Sequence, residues 1–183
     1  GGAGIWWDDS DSGWSISASY LSANAENGRP ATTWDKENEE WIYGGGIATD
    51  AAMSAGNAQV AYSADNWGAA ASYGYSSSDN YAGLYAGNAT PFTYDLISTG
   101  VTNSFGLSGY WMPEESGWIP SISAGWGINM ISPVDDHNYN MIGDGPFLDS
   151  ATAQSWYVGL QWEDAFAEGN ILGMAVGQPT FVT

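Results

Sequence analysis

Hydrophobic and polar positions alternate along much of this chain. In 155–162, Trp156, Val158, Leu160 and Trp162 fall on one side of an extended strand, with Ser155, Tyr157, Gly159 and Gln161 on the other. After a polar connection the pattern resumes, with Leu172, Met174 and Val176 opposed to Ile171, Gly173, Ala175 and Gly177. Two such strands joined by a turn predict a β-hairpin. One face is large and apolar, the other small or uncharged and polar, so the sheet needs an apolar medium on one side only.

Similar runs precede it. Trp14, Ile16, Ala18 and Tyr20 alternate with serines; Ala58, Val60 and Tyr62 lead through the turn 64–66 to Trp67, Ala69, Ala71, Tyr73 and Tyr75. Phe105, Leu107 and Trp111 form the next apolar side. The turn 113–117 then leads to Trp118, Ile122, Ala124, Trp126, Ile128 and Met130. Residues 1–13, with Trp6, Trp7, Asp8, Asp9 and Asp11, read as a loop. A β-segment near Trp41, Tyr43 and Ile47 is weakened by glycines 44–46.

The connections alternate in length. Those at 24–56, 77–100 and 131–152 are long and the others short, as in outer-membrane barrels with short turns at one rim and long loops at the other. The strands are near the roughly ten residues that a tilted strand needs to cross a bilayer. The expected fold is all-β: an antiparallel meander of about seven or eight strands, part of a transmembrane β-barrel or an assembly of such segments. Trp126, Trp156, Leu160 and Phe105 should then lie on an outer surface.

Composition narrows the function. Two Lys+Arg against 21 Asp+Glu give a net charge of −19, which disfavours nucleic acid and anionic membrane surfaces. Without cysteine there are no disulfides and no thiolate chemistry or metal sites. Eleven Trp, eleven Tyr and 25 Gly suit sheets whose aromatics sit where an apolar zone meets water. No apolar run approaches the roughly 20 residues of a spanning helix, and no signal peptide is evident.

Catalysis finds no support. His137, beside Asp135 and Asp136, has no accompanying nucleophile motif and reads as a surface histidine. Glu114 and Glu115 are neighbours in a turn, which does not define a carboxyl pair across a cleft. The spacing after Asp9 lacks the terminal glutamate of a calcium loop, since the eleventh following residue is Tyr20. The triplet Asn88-Ala89-Thr90 matches a glycosylation sequon, a match that in a bacterial protein is most often chance. Neither an enzyme nor a bound cofactor or metal is expected.

The segment from Asn170 to Pro179, with its Gly-Met-Ala-Val-Gly-Gln core and the preceding Gln161-Trp162, resembles a segment of cyanobacterial outer-membrane porins, the carbohydrate-selective-porin-like or iron uptake porins. The stretch 61–75 is similar to another hairpin of that family, and the likeness spans 57–183. The resemblance implies an export signal, a cell-wall-binding domain with a coiled coil, and a barrel of about sixteen strands closed by an aromatic-ended strand. The first three parts do not occur here, the clear strands are too few, and 178–183 reads as the approach to a loop. The expectation is therefore a single barrel segment over 1–183, incomplete at both ends.

Its expected function is passive diffusion of small hydrophilic solutes and inorganic ions, with cations preferred because acidic groups near an aperture concentrate them. Arg29, Asp35, Lys36, Glu37, Glu39 and Glu40, in the longest connection, are the candidate constriction. Expected partners are outer-membrane lipid and either the remaining strands of a parent porin or copies of the chain in a homo-oligomer. The expected location is the outer membrane of a Gram-negative-type, cyanobacterial cell, or the exterior after release as a fragment. A self-assembling filament or tube and a soluble carbohydrate-binding β-sandwich are the alternatives.

Overall fold

The computed structural model describes residues 1–23, 33–35, 40–42, 53–78, 100–114, 117–133 and 150–183. Among the described residues there are ten strands: β1 (Gly2–Asp9), β2 (Trp14–Ala23), β3 (Thr33–Asp35), β4 (Glu40–Ile42), β5 (Met53–Ser63), β6 (Trp67–Ser78), β7 (Gly100–Trp111), β8 (Ser121–Pro133), β9 (Ala151–Glu163) and β10 (Ile171–Val182). All but β3 and β4 form one eight-stranded antiparallel meander in the order β1-β2-β5-β6-β7-β8-β9-β10. The sheet is not closed: β1 and β10 are its two edges. Strands β3 and β4 form a separate two-stranded hairpin.

The period-two pattern fixes register, because a slip by one residue would exchange the faces. One row running across the sheet joins Ile16, Val60, Ala71, Leu107, Trp126 and Trp156; the next joins Trp14, Tyr62, Ala69, Gly109, Ala124, Val158 and Val176. The reverse face carries Ser17, Gln59, Ser72, Ser108, Gly127 and Ser155, with glycines between them.

Four tight turns share one rim. At Gly13 the backbone takes φ +77° and approaches Ser63 so closely that a side chain would meet the Ser63 carbonyl oxygen, while that residue's N–H donates to the Gly13 carbonyl at 2.8 Å. The Asp9 carboxylate holds the same turn, accepting from Ser12 Oγ at 2.6 Å and the Asp11 N–H at 3.2 Å. In the turn between β9 and β10, Asp164 takes φ +53° and accepts from the Gly169 N–H at 2.5 Å.

Three local expectations are corrected. Residues 1–13 are not a loop, since Gly2–Asp9 pairs along its whole length with β2. Adjacent Trp6 and Trp7 hide the alternation, but they point to opposite faces. Residues 178–183 also continue the sheet: a register shift between Gln178 and Phe181 absorbs Pro179, after which Phe181 pairs with Gln154 and Val182 with Ala153. Conversely, the strand expected from Trp118 starts at Ser121, after Pro120.

The described residues form almost no conventional core. Among the described residues the buried apolar side chains are Ile131 and Ala153. Trp126, Trp156 and Phe105 are 41%, 43% and 44% exposed. A second sheet packed on this face would bury them, as in a sandwich.

Candidate solute-facing surface and acidic rim

The small-residue face is shaped by tyrosines lying on glycines. Tyr110 is paired with Gly68, where a Cβ would stand 2.5 Å from the tyrosine ring. Tyr157 likewise covers its partner Gly125, leaving no room for a Cβ. These pairings let an aromatic ring lie flat on a polar face and shield a weak strand position. Around them the surface is hydroxyl, amide, alanine methyl and bare backbone, with the larger apolar Trp6, Leu21 and Ile171 confined to β1, β2 and the start of β10.

Carboxylates gather at the rim of short turns. Asp8, Asp9 and Asp11 lie at the first turn, Asp65 at the second, Glu114 at the third, and Glu163, Asp164 and Glu168 at the fourth. The meander forces this arrangement, because every short turn lies at the same end. Asp8 and Glu163, at the ends of β1 and β9, belong to the small-residue face. Apart from Asp8, Asp9 and Glu163 at the rim ends of β1 and β9, the described strands of the large sheet carry no charged residue. No group of three or more metal-ligating side chains with metal-site geometry occurs among the described residues.

The opposite face has two aromatic zones. Near the short turns, Trp14 and Tyr62 have ring centroids 5.0 Å apart, and Tyr62 and Trp67 5.2 Å apart. Trp67 pairs with Trp111, and the Trp162 indole donates to the Trp118 carbonyl at 3.2 Å. Towards the other end, the Tyr20 hydroxyl shares a 2.9 Å hydrogen bond with Ser54, Tyr73 donates to Asn103 at 2.6 Å, and Tyr73 contacts Phe105 with centroids 5.1 Å apart. From Trp14 to Tyr20 is roughly 20 Å along β2, and from Trp67 to Tyr75 roughly 27 Å along β6. Between them, the Trp126 indole donates to Gln154 Oε1 at 3.3 Å, so this polar N–H is paired on its own face.

No family model, curated protein or solved structure matches this chain.

The candidate constriction falls mostly outside the described residues. Arg29, Lys36, Glu37 and Glu39 lie outside the described residues, as does His137. The two described members, Asp35 and Glu40, are paired across the β3–β4 hairpin. The rim carboxylates form a clearer acidic feature. The sequence displayed each as an ordinary turn residue; the alternating connection lengths were the signal that all these turns meet at one end.

Proposed function

We propose that this chain is part of the wall of an outer-membrane-type porin that passes small hydrophilic solutes and inorganic ions, favouring cations. The observation that carries this reading is the single-layer sheet with its broad apolar face uncovered by any described residue. Hydrocarbon supplies the missing apolar partner. The small polar face borders water, and the aromatic zones meet the two interfaces of an apolar band about 25 Å tall.

The chemistry is noncovalent. Serine, asparagine and glutamine side chains and glycine backbone exchange hydrogen bonds with a hydrated solute, so passage is limited by width and field rather than bond breaking. Rim carboxylates raise the local cation concentration, with Asp8 and Glu163 closest to the solute-facing side. The resemblance of 170–179 to cyanobacterial porin sequences agrees with this reading, under which the chain sits in such an outer membrane with lipid as its surrounding partner.

An open sheet cannot stay open in lipid. Each unpaired backbone N–H or C=O in hydrocarbon costs several kcal/mol, so the edges at β1 and β10 require partners. Reconstitution tests the proposal. The chain should need detergent or lipid to remain dispersed and should give cation-favouring reversal potentials in a planar bilayer under a salt gradient. An anion-favouring current would refute cation preference; a monodisperse small species in detergent-free buffer would refute the membrane assignment and favour a soluble sandwich.

A further inference from the structure

We propose that the short-turn rim is a preformed docking surface for a basic protein segment that carries apolar side chains, with Trp118 and Phe166 as its anchors. This goes beyond the membrane reading and does not depend on it, because the turns lie at the end of the sheet rather than on either face.

The anchors stand out by their exposure. Trp118 is 93% exposed and Phe166 83%, more than any other large apolar side chain among the described residues. Each lies in a turn beyond the paired strands: Trp118 precedes Ser121, where β8 starts, and Phe166 follows Glu163, where β9 ends. Ser121 pairs with Gln161, so the third and fourth turns are neighbours, about 10 Å apart at two strand spacings. Ile119, also exposed, extends the same patch. Large rings held in water in this way are the residues that most often centre a protein interface, since a partner that covers them gains their burial.

The rim is also braced. The Ser63 N–H donates to the Gly13 carbonyl at 2.8 Å, tying the first turn to the second, and the Met112 N–H donates to the Asn66 carbonyl at 2.7 Å, tying the second to the third. The Trp162 indole donates to the Trp118 carbonyl at 3.2 Å, tying the third to the strand that enters the fourth. Within the fourth turn, the Asp164 N–H donates to the Asn170 carbonyl at 2.7 Å and the Asn170 N–H to the Ala167 carbonyl at 3.0 Å. A backbone already fixed in this way loses little conformational entropy when a partner binds.

Charge selects the occupant. Glu114 stands in the third turn, and Asp164 and Glu168 in the fourth, beside the two anchors. No Lys or Arg occurs among the described residues, so no described basic side chain neutralises them. A segment whose lysines or arginines alternate with apolar residues answers both features: its cations meet the carboxylates while its apolar side chains cover Trp118 and Phe166. A lipid surface answers them less well. The carboxylates on the same turns are repelled by anionic headgroups, and the aromatic zone at this end is already made by Trp67, Trp111 and Trp162 on the strands themselves.

A fluorescein-labelled peptide alternating Lys with Leu and Gly is the probe, titrated onto the full chain in nonionic micelles or detergent-free buffer, whichever disperses it, with the signal of the medium alone subtracted. Anisotropy should show saturable binding that weakens as salt is raised. Trp118→Ser/Phe166→Ser should lower the affinity more than about ten-fold, while keeping the backbone carbonyl that Trp162 holds. Glu114→Gln/Asp164→Asn/Glu168→Gln should lower it comparably and flatten the salt dependence; Asp164→Asn retains the acceptor for the Gly169 N–H and tolerates the positive φ. The single substitutions Trp118→Ser and Glu168→Gln, each expected to weaken binding, keep the test open should a combined variant fail to fold. No binding by the unaltered chain, equal binding by the folded variants, or equal binding of a peptide with Glu in place of Lys would overturn the proposal. So would a bimane label on Ile119→Cys that is quenched by doxyl-labelled lipid in vesicles without peptide, which would seat the turn in the bilayer. Peptide binding in the expected pattern by a chain dispersed without detergent would refute the membrane reading and leave the docking surface standing; cation-selective conductance without peptide binding would do the reverse.

Discussion

Leu107→Arg compared with Ser108→Arg separates a lipid-facing surface from a water-facing one. Leu107 lies on central strand β7, 57% exposed, opposite Ala71 and Trp126. Ser108 is its exposed neighbour on the other face. Four residues, roughly 13 Å along the strand, separate Leu107 from Trp111 near the rim, placing Leu107 well inside the apolar band. In lipid, arginine at such a depth should cost about 2–4 kcal/mol, falling with distance from the midplane. That is roughly a 30- to 700-fold loss in the folding equilibrium. In water, an exposed substitution away from special contacts usually changes stability by less than about 0.5 kcal/mol. Reversible urea unfolding in lipid vesicles, followed by tryptophan fluorescence, should therefore show a large loss for Leu107→Arg and little change for Ser108→Arg. Equal effects, or a larger loss for Ser108→Arg, would refute the assignment of faces.

The remaining expectations address individual contacts. Gly125→Ala should cost about 1–3 kcal/mol because its methyl group enters the space held by the Tyr157 ring, whereas Gly127→Ala, whose nearest neighbour is Ser155 Oγ at 3.4 Å, should be nearly neutral in the same unfolding assay. Asp8→Asn with Glu163→Gln should reduce cation preference in reversal-potential measurements; one carboxylate about 4 Å from a hydrated cation contributes about 1 kcal/mol, or about five-fold in local concentration. Trp162→Phe removes the indole donor to Trp118 and should cost about 0.5–1.5 kcal/mol, read as a lower unfolding midpoint.

The large strands were legible because their side chains alternate cleanly. Trp14 through Tyr20 reveals β2 without tertiary information, as Trp156 through Trp162 reveals β9. The first edge is different: Trp6 next to Trp7, followed by acids, resembles a loop until the neighbouring strand supplies its hydrogen-bonding template. Pro179 gives the opposite ambiguity, since its missing N–H suggests a strand end, but a local register shift lets pairing continue through Phe181 and Val182. The acidic rim depends on topology as well as residue type. Asp65 and Glu168 are far apart in sequence, and only the placement of all short turns at one end brings them to a common border.

The same alternation could, in isolation, describe a soluble sandwich. The distinction comes from what covers the apolar face. Sandwich sheets bury their large side chains between layers, so tryptophans at the centre of the pattern should be inaccessible. Here Trp126 and Trp156 are directly paired near the middle of the sheet, yet each remains more than one-third exposed. The Trp126 indole instead finds Gln154 on its own surface. That arrangement satisfies a polar group locally while leaving the surrounding rings available to hydrocarbon. Under the proposed membrane reading, this aromatic face, which no described residue covers, would form the outer wall, while the serine- and glycine-rich reverse face would border water.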